Sequence, residues 1–248
     1  MNQKPVSYKQ TDPRWSALPY QVPGETATVG GSGCGPTCAA MLIETLTGTA
    51  CTPAEACKWS MEHGYKALNQ GTYYSYFKPQ FEDFGISCVQ LNYTSLYGDH
   101  DNVIHDDAME LLRDGGYLIA CMGKGLWTNS GHFVVVWWAD EDTVYILDPA
   151  SEKRERLYGD MDTFRQQVKY YWWVDAREHN RETGMGYEQW KQYMERYRAE
   201  LAERPVSSWA ENLLQEAKDA GITDGTRPQD LVTRQEAAVM VRALLQNA

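Results

Sequence analysis

Few of the usual core-forming residues are present: Leu, Ile, Val and Phe together number 44 of 248. Taken alone, so low a share points toward a disordered chain. The 9 Trp and 16 Tyr reverse that impression, because each large ring buries more apolar area than a valine and carries a polar tip that needs a partner. A folded, aromatic-rich protein is expected. Long hydrophobic runs are also missing. The longest, Val134 to Ala139 and Tyr117 to Met122, fall far short of the ~20 residues a membrane-spanning helix requires, so no membrane insertion is expected. The opening Met-Asn-Gln-Lys-Pro has neither the apolar stretch nor the small-residue cleavage site of a signal peptide, which makes the cytoplasm the expected place of synthesis. Positive charge is scarce: 23 Lys and Arg face 34 Asp and Glu, a net charge of −11, and no basic block offsets it. Nucleic acid and anionic membrane surfaces are thereby disfavoured as partners. The six cysteines, at 34, 38, 51, 57, 88 and 121, are too few for the disulfide scaffold of a small secreted domain, and reduced thiols are expected. No Gly-rich strand-to-helix turn of the phosphate-binding type occurs, which argues against a dinucleotide-binding fold.

What is present falls into three zones. Residues 1–176 are rich in Gly, aromatic residues and short apolar runs; residues 177–204 are dominated by charge; residues 205–248 have their own turn signals. In the middle zone Trp190, Met194, Tyr197 and Leu201 recur at helical spacing, which predicts an amphipathic connecting helix over 188–203 that ends before Pro205. In the first zone the pattern predicts helices over 34–47, 53–63, 73–84 and 105–113. Strands are predicted over 117–122, 132–138, 143–147 and 170–174. Helices first and strands joined by short turns afterwards describe an α+β domain with an antiparallel sheet.

The most informative stretch is Gly30-Gly31-Ser32-Gly33-Cys34-Gly35-Pro36-Thr37-Cys38. Pro36 suits a first helical turn and an apolar helical run follows, so Cys34 sits at a helix N-terminus. There the free backbone N–H groups and the helix dipole favour a thiolate, which is the nucleophilic form. A glycine-rich loop around a buried cysteine fits the same string. A nucleophilic cysteine needs a base, and of the five histidines His132 stands apart. It begins an apolar strand directly after Asn129-Ser130-Gly131, where a rigid element meets a loop; a hydrogen-bonded structural histidine would also sit there. Asp148 ends the next strand, in Leu147-Asp148-Pro149. Hairpin pairing of the two strands would bring its carboxylate to the His132 ring, where it would fix the tautomer and stabilise an imidazolium. An ordinary Asp-Pro turn is the other reading. For the oxyanion of an acyl transfer, the Cys34 backbone N–H is one donor, and Gln10 is the candidate side-chain amide upstream; it could equally be a surface glutamine.

Gln10 in its Asp12-Pro13-Arg14-Trp15 context, Gly33-Cys34-Gly35-Pro36-Thr37, Gly131-His132-Phe133-Val134-Val135 and Asp148-Pro149 together resemble the papain-like cysteine peptidases of the bacteriocin-processing, double-glycine-peptidase-like branch, in stand-alone form. The resemblance covers roughly residues 5–176. It implies a papain-like fold with Cys34 as nucleophile, His132 as general base and then acid, Asp148 orienting His132, and Gln10 completing the oxyanion hole. Bacteriocin-processing members are fused to membrane transporters, and this chain shows no such segment, so leader processing is not expected.

The last zone, with Trp209-Ala210, Ala220-Gly221-Ile222, Asp224-Gly225, Pro228 and Thr233-Arg234-Gln235-Glu236, is similar to a single S-layer homology module. Such modules bind bacterial wall polymer, and Trp209 and Arg234 match the ligand-contacting motif. A small helical hairpin that packs or dimerises explains the same residues. Joined together, the two resemblances imply a lysis-type peptidase or amidase acting on peptidoglycan peptides at the cell wall after release. They call for no cofactor and no metal. Three other readings stay open. A thiol-dependent transpeptidase would use the same thioester. A wall-associated binding protein would keep the peptidase-like domain without turnover. Cys34, Cys38, Cys51 and Cys57 could instead form a four-thiolate metal site.

Overall fold

A strand covered on both faces must be apolar in both phases of its two-residue period, and three strands of this chain meet that condition. The computed structural model describes residues 2–177 and 187–246, in two units, Met1–Arg181 and Glu182–Ala248. The first unit opens with helices α1 (Val29–Ser32), α2 (Cys34–Thr47), α3 (Pro53–Glu62) and α4 (Phe77–Glu82), followed by strand β1 (Cys88–Gln90) and helix α5 (Val103–Arg113). Then come β2 (Gly116–Met122), β3 (His132–Ala139), β4 (Thr143–Leu147), α6 (Arg154–Leu157), β5 (Tyr158–Asp160), α7 (Met161–Gln167) and β6 (Val168–Asp175). The strands form one antiparallel sheet in the order β1-β6-β2-β3-β4-β5. This is the α+β arrangement of helices and antiparallel sheet that the residue pattern predicts, and it accords with the papain-like fold that the resemblance implies.

Alternation sorts the core into two layers. Tyr117, Ile119, Cys121, Phe133, Val135, Trp172 and Val174 pack with α2, α3 and α4. Their sequence neighbours Leu118, Ala120, Met122, Val134, Val136, Tyr171 and Trp173 pack with α5 and α7 on the opposite face. The adjacent pair Trp172 and Trp173 is thus divided between the two layers, as strand geometry demands.

Helix α2 is buried from Gly35 through Ile43 and stops at Gly48, whose φ of 67° is the left-handed conformation a glycine adopts without strain. Helix α3 begins in a capping box, with Thr52 and Glu55 satisfying each other's backbone N–H groups and Pro53 in the first turn. The single helix predicted over 73–84 is instead a 3-10 turn at Tyr74–Tyr76 followed by α4. Strands β1 and β5 and helices α1, α6 and α7 were not foreseen, since three to seven residues are too few for a periodic signal.

A buried ion pair ties the N-terminal loops together. Lys66 Nζ donates to Glu25 Oε1 at 2.6 Å and to the carbonyls of Ala67 and Gln70 at 2.7 and 2.8 Å. The other Glu25 oxygen accepts from the Asn69 N–H at 2.7 Å. All three ammonium protons are used, which is the condition for burying such a charge.

The second unit contains α8 (Tyr187–Glu203), α9 (Glu211–Asp219) and α10 (Arg234–Gln246). The helix read as a connector therefore falls inside this unit. Arg198 on α8 pairs with Asp230 through two 3.2 Å contacts, and Thr233 and Glu236 cap α10 reciprocally at 2.8 and 3.2 Å. Among the described residues no helix is long and apolar enough to cross a membrane.

Trp172 sits at the centre of the first layer, with ring centroids 4.9 Å from Phe77 and 5.8 Å from Phe133. Trp172→Ala is expected to remove about 3–5 kcal/mol of stability, read as a lower midpoint in urea unfolding. A loss below ~1 kcal/mol would contradict the packing described.

Candidate active site

Local crowding sets the position of Cys34. Thr28 caps α1 by accepting the Gly31 N–H, and the chain turns so tightly into α2 that a Cβ at Gly33 would lie 2.6 Å from the Val29 carbonyl oxygen. Only glycine fits there. Helix α2 then starts at Cys34 itself, which leaves the residue half-buried at the head of a helix of fourteen residues. On the next residue, Gly35, a Cβ would meet Thr72 Oγ1 at 3.1 Å and Phe133 Cδ2 at 3.3 Å. The start of α2 is therefore wedged between the loop carrying Thr72 and the first turn of β3.

Strand pairing supplies the next two groups. Antiparallel register sets Val135 opposite Leu147, so the first residue of β3 and the residue just after β4 are diagonal neighbours on one face of the sheet. His132 Nε2–H donates to Asp148 Oδ1 at 2.8 Å, and both side chains are buried. With Nε2 committed, Nδ1 is the ring nitrogen left for the Cys34 thiol, to which His132 is hydrogen-bonded.

Asp148 is held from several directions. Its Oδ1 also accepts the Ala150 N–H at 2.8 Å. Arg156 Nη2 stands 2.5 Å from Oδ2 as an ion pair, and Arg156 is itself locked to Trp127, donating to its carbonyl at 2.6 Å while its own carbonyl accepts the indole N–H at 2.9 Å. Lys9 Nζ donates to the Asp148 and Ser151 carbonyls at 2.6 and 2.8 Å. Next to Lys9, the Gln10 N–H donates to the Pro149 carbonyl at 2.9 Å, and Gln10 Nε2 donates to the Gly30 carbonyl at 2.8 Å. Gln10 is buried and bridges the loop after Asp148 to the turn before Cys34. One of its two amide N–H bonds is spent on Gly30, leaving the other unspent; Oε1 has no partner among the described residues.

Charge follows geometry. Burial works against a Cys34 thiolate, but the hydrogen bond and charge of His132, with the backbone N–H groups of Phe133 and Gly35, hold the thiol below its ordinary pKa of 9.0. Burial likewise works against an imidazolium, yet the bonds to Asp148 and Cys34 raise His132 to about 9. Burial pushes Asp148 up, and His132, the Ala150 N–H and Arg156 together bring it below the usual carboxylate range. The favoured state is a thiolate–imidazolium pair backed by a carboxylate. The other thiols move the opposite way: burial raises Cys38, Cys57 and Cys88 well above 9.0, Cys51 to about 12 and Cys121 to about 11.

The remaining histidines are engaged elsewhere. His63 stacks on Trp59 at 3.9 Å, and His100 meets Gln166 and Asp101 on the surface. His105 lies within α5 and is fully buried, with Tyr171 and the Asp99 carbonyl each 3.0 Å from a ring nitrogen. His179 lies outside the described residues. Among the described residues no three His, Cys, Asp or Glu side chains converge as a metal ion would require; Cys38, Cys51 and Cys57 are buried in the core instead. Trp209 and Arg234 are exposed in the second unit, before α9 and at the first residue of α10. Arg156 and Lys9, which hold Asp148 and the loop after it, are not marked by any sequence pattern. Arg156 sits in a charged stretch and Lys9 in a polar one.

Comparison with known proteins adds the following. The family model described as Peptidase_C39 like family matches residues 7–179. A crystal structure from Bacillus anthracis, described as that of a candidate C39-like peptidase, aligns at 13% identity and a TM-score of 0.43, covering 70% of this chain and 98% of that one. No curated protein matches.

The electrostatics yield a direct expectation. Iodoacetamide should label Cys34 at pH values well below 9.0, where the five other thiols stay protonated. In His132→Ala the burial of Cys34 is unopposed by an imidazolium, so its labelling should shift to higher pH. Mass-spectrometric mapping of labelling against pH checks both points; equal reactivity of Cys34 and Cys88 would refute the ion pair.

Proposed function

The chain belongs to the Peptidase_C39-like family, and from that premise we propose that it is a cysteine peptidase that cuts peptide bonds through Cys34, His132 and Asp148. The observation that carries the proposal is the buried His132–Asp148 hydrogen bond, 2.8 Å long, beside a thiol at the head of α2. In the reaction the Cys34 thiolate attacks the scissile carbonyl carbon and the carbonyl π electrons move onto oxygen. That oxyanion is held by the Cys34 backbone N–H and the unspent amide N–H of Gln10. The C–N bond then breaks as His132 passes its proton to the departing amine, leaving a thioester on Cys34. Water enters, gives a proton to His132, adds to the thioester carbonyl, and expels the thiolate as the free acid forms. Asp148 stays ionised throughout and stabilises the imidazolium.

We place the substrate among the peptides of bacterial walls, with the second unit acting as a wall-polymer anchor through Trp209 and Arg234. Trp209 is 78% exposed, an unusual setting for an indole and one suited to stacking on a ligand. An amine in place of water would give transpeptidation by the same thioester, and product masses separate the two outcomes.

Cys34→Ala and His132→Ala are expected to abolish turnover of wall-derived peptides while leaving the circular-dichroism melt near wild type; full activity in either variant overturns the assignment. Gln10→Ala should lower kcat by about 10²-fold, the typical loss for one oxyanion donor. The pH profile of kcat/KM should be bell-shaped, its acid limb below the ordinary thiol value of 9.0 and its alkaline limb near 9, where His132 loses its proton. Trp209→Ala should reduce co-sedimentation of the full chain with purified walls without changing turnover of soluble peptides.

A further inference from the structure

Beside the nucleophile lies a run of aromatic side chains that the reaction chemistry does not use. It begins at Phe133, whose ring borders Gly35 and whose backbone N–H bonds to the Cys34 sulfur. Tyr74 meets the Phe133 ring edge-on at 6.1 Å, and Tyr170 lies against Tyr74 at 4.8 Å. Tyr74 is 37% exposed and Tyr170 is half-buried, so the outer part of this run faces solvent. Lys169 stands at its rim. Its Nζ donates to the Tyr74 hydroxyl at 3.4 Å and lies 5.8 Å from the Tyr170 ring centroid. Among the described residues it is paired with no carboxylate, although the chain carries 34 of them.

We propose that Tyr74, Tyr170 and Lys169 form a substrate subsite that takes a large apolar side chain, with a carboxylate beside it, from the peptide being cut. The inference rests on the reading of Cys34 as nucleophile alone and concerns peptide substrates in general, independently of the wall-peptide assignment. An aromatic platform next to a reacting sulfur binds apolar or ring-bearing side chains by stacking and area burial. A lone ammonium at its edge, in a strongly acidic protein, attracts the carboxylate of a ligand and disfavours a second cation. The tyrosines need only part of their surface to cover Trp172; the exposed remainder is what the ligand would cover.

Peptidyl chloromethyl ketones, which alkylate a catalytic thiol after binding like substrates, test the subsite in the full chain. The residue beside the reactive carbonyl is varied as Gly, Leu or Phe, with or without a neighbouring Asp, and each inactivation rate is divided by the iodoacetamide rate at Cys34. Wild type should prefer Phe over Gly by about 10-fold or more, with a further gain from Asp that shrinks as salt is raised. Tyr74→Ala and Tyr170→Ala should bring the Phe preference within about twofold while the iodoacetamide rate holds. Lys169→Met should remove the Asp gain alone, and this half-exposed position carries the test if a tyrosine variant fails to fold. No Phe preference in wild type, or its survival in folded tyrosine variants, overturns the subsite. Iodoacetamide labelling that does not favour Cys34 overturns the nucleophile reading and the subsite with it.

Discussion

The hydrogen bond between His132 and Asp148 is the constraint on which the remainder of the first unit turns. A buried carboxylate without partners is among the most unfavourable groups a protein can contain. Here Asp148 is fully buried, and the structure answers with a histidine, a backbone N–H and an arginine around its two oxygens. Each of those partners is then fixed in turn. Arg156 is held by Trp127, the loop after Asp148 is held by Lys9, and the backbone of Gln10 runs alongside Pro149. The stability of the Asp148 site and the alignment of His132 toward Cys34 are therefore one problem with one solution. Removing any partner leaves charge uncompensated next to His132 and Cys34.

Rigidity for this arrangement comes from the sheet. His132 stands at the first residue of β3, and the strands beyond it are packed on both faces by helices. Cys34 on a helix and His132 on a strand can hold a fixed separation only if helix and strand cannot slide. The buried residues of α2 share one packed layer with Phe133, Val135, Phe77 and Trp172, and the rings of that layer interleave across α4, β3 and β6. The scarcity of aliphatic residues finds its explanation here. Large rings bury the area that leucines and isoleucines would have covered, and Tyr74, packed on Phe133, keeps part of its ring at the surface.

Each cysteine illustrates how position decides chemistry. All six are free thiols, yet only Cys34 combines a helix start, a histidine and two backbone N–H groups at its sulfur. Cys38 lies four residues further along the same helix and is driven the other way by burial. Cys38 and Cys57 both lie within the electrostatic reach of Cys34, so a charged Cys34 makes ionisation of either neighbour harder still. One thiolate in a cluster excludes others.

Much of this was legible in the residues themselves. The glycines before Cys34, Pro36 and the apolar run after it mark a helix start, because caps, φ restrictions and helical periodicity act within a few residues. Strands β2 and β3 declare themselves by apolar content and the turn residues around them, and the hairpin between β3 and β4 makes the approach of Asp148 to His132 derivable. By itself, then, the sequence determined the helix that presents Cys34, the two strands that bring His132 and Asp148 together, and the net negative charge. Tertiary structure alone decided that His132 reaches Cys34, that Arg156 and Lys9 brace Asp148, that Gln10 is buried between two loops, and that Tyr74 packs on Phe133 and Tyr170 on Tyr74. Those contacts join segments far apart in the chain, and their geometry is set by packing across the sheet, a condition that leaves no trace in any local stretch of residues.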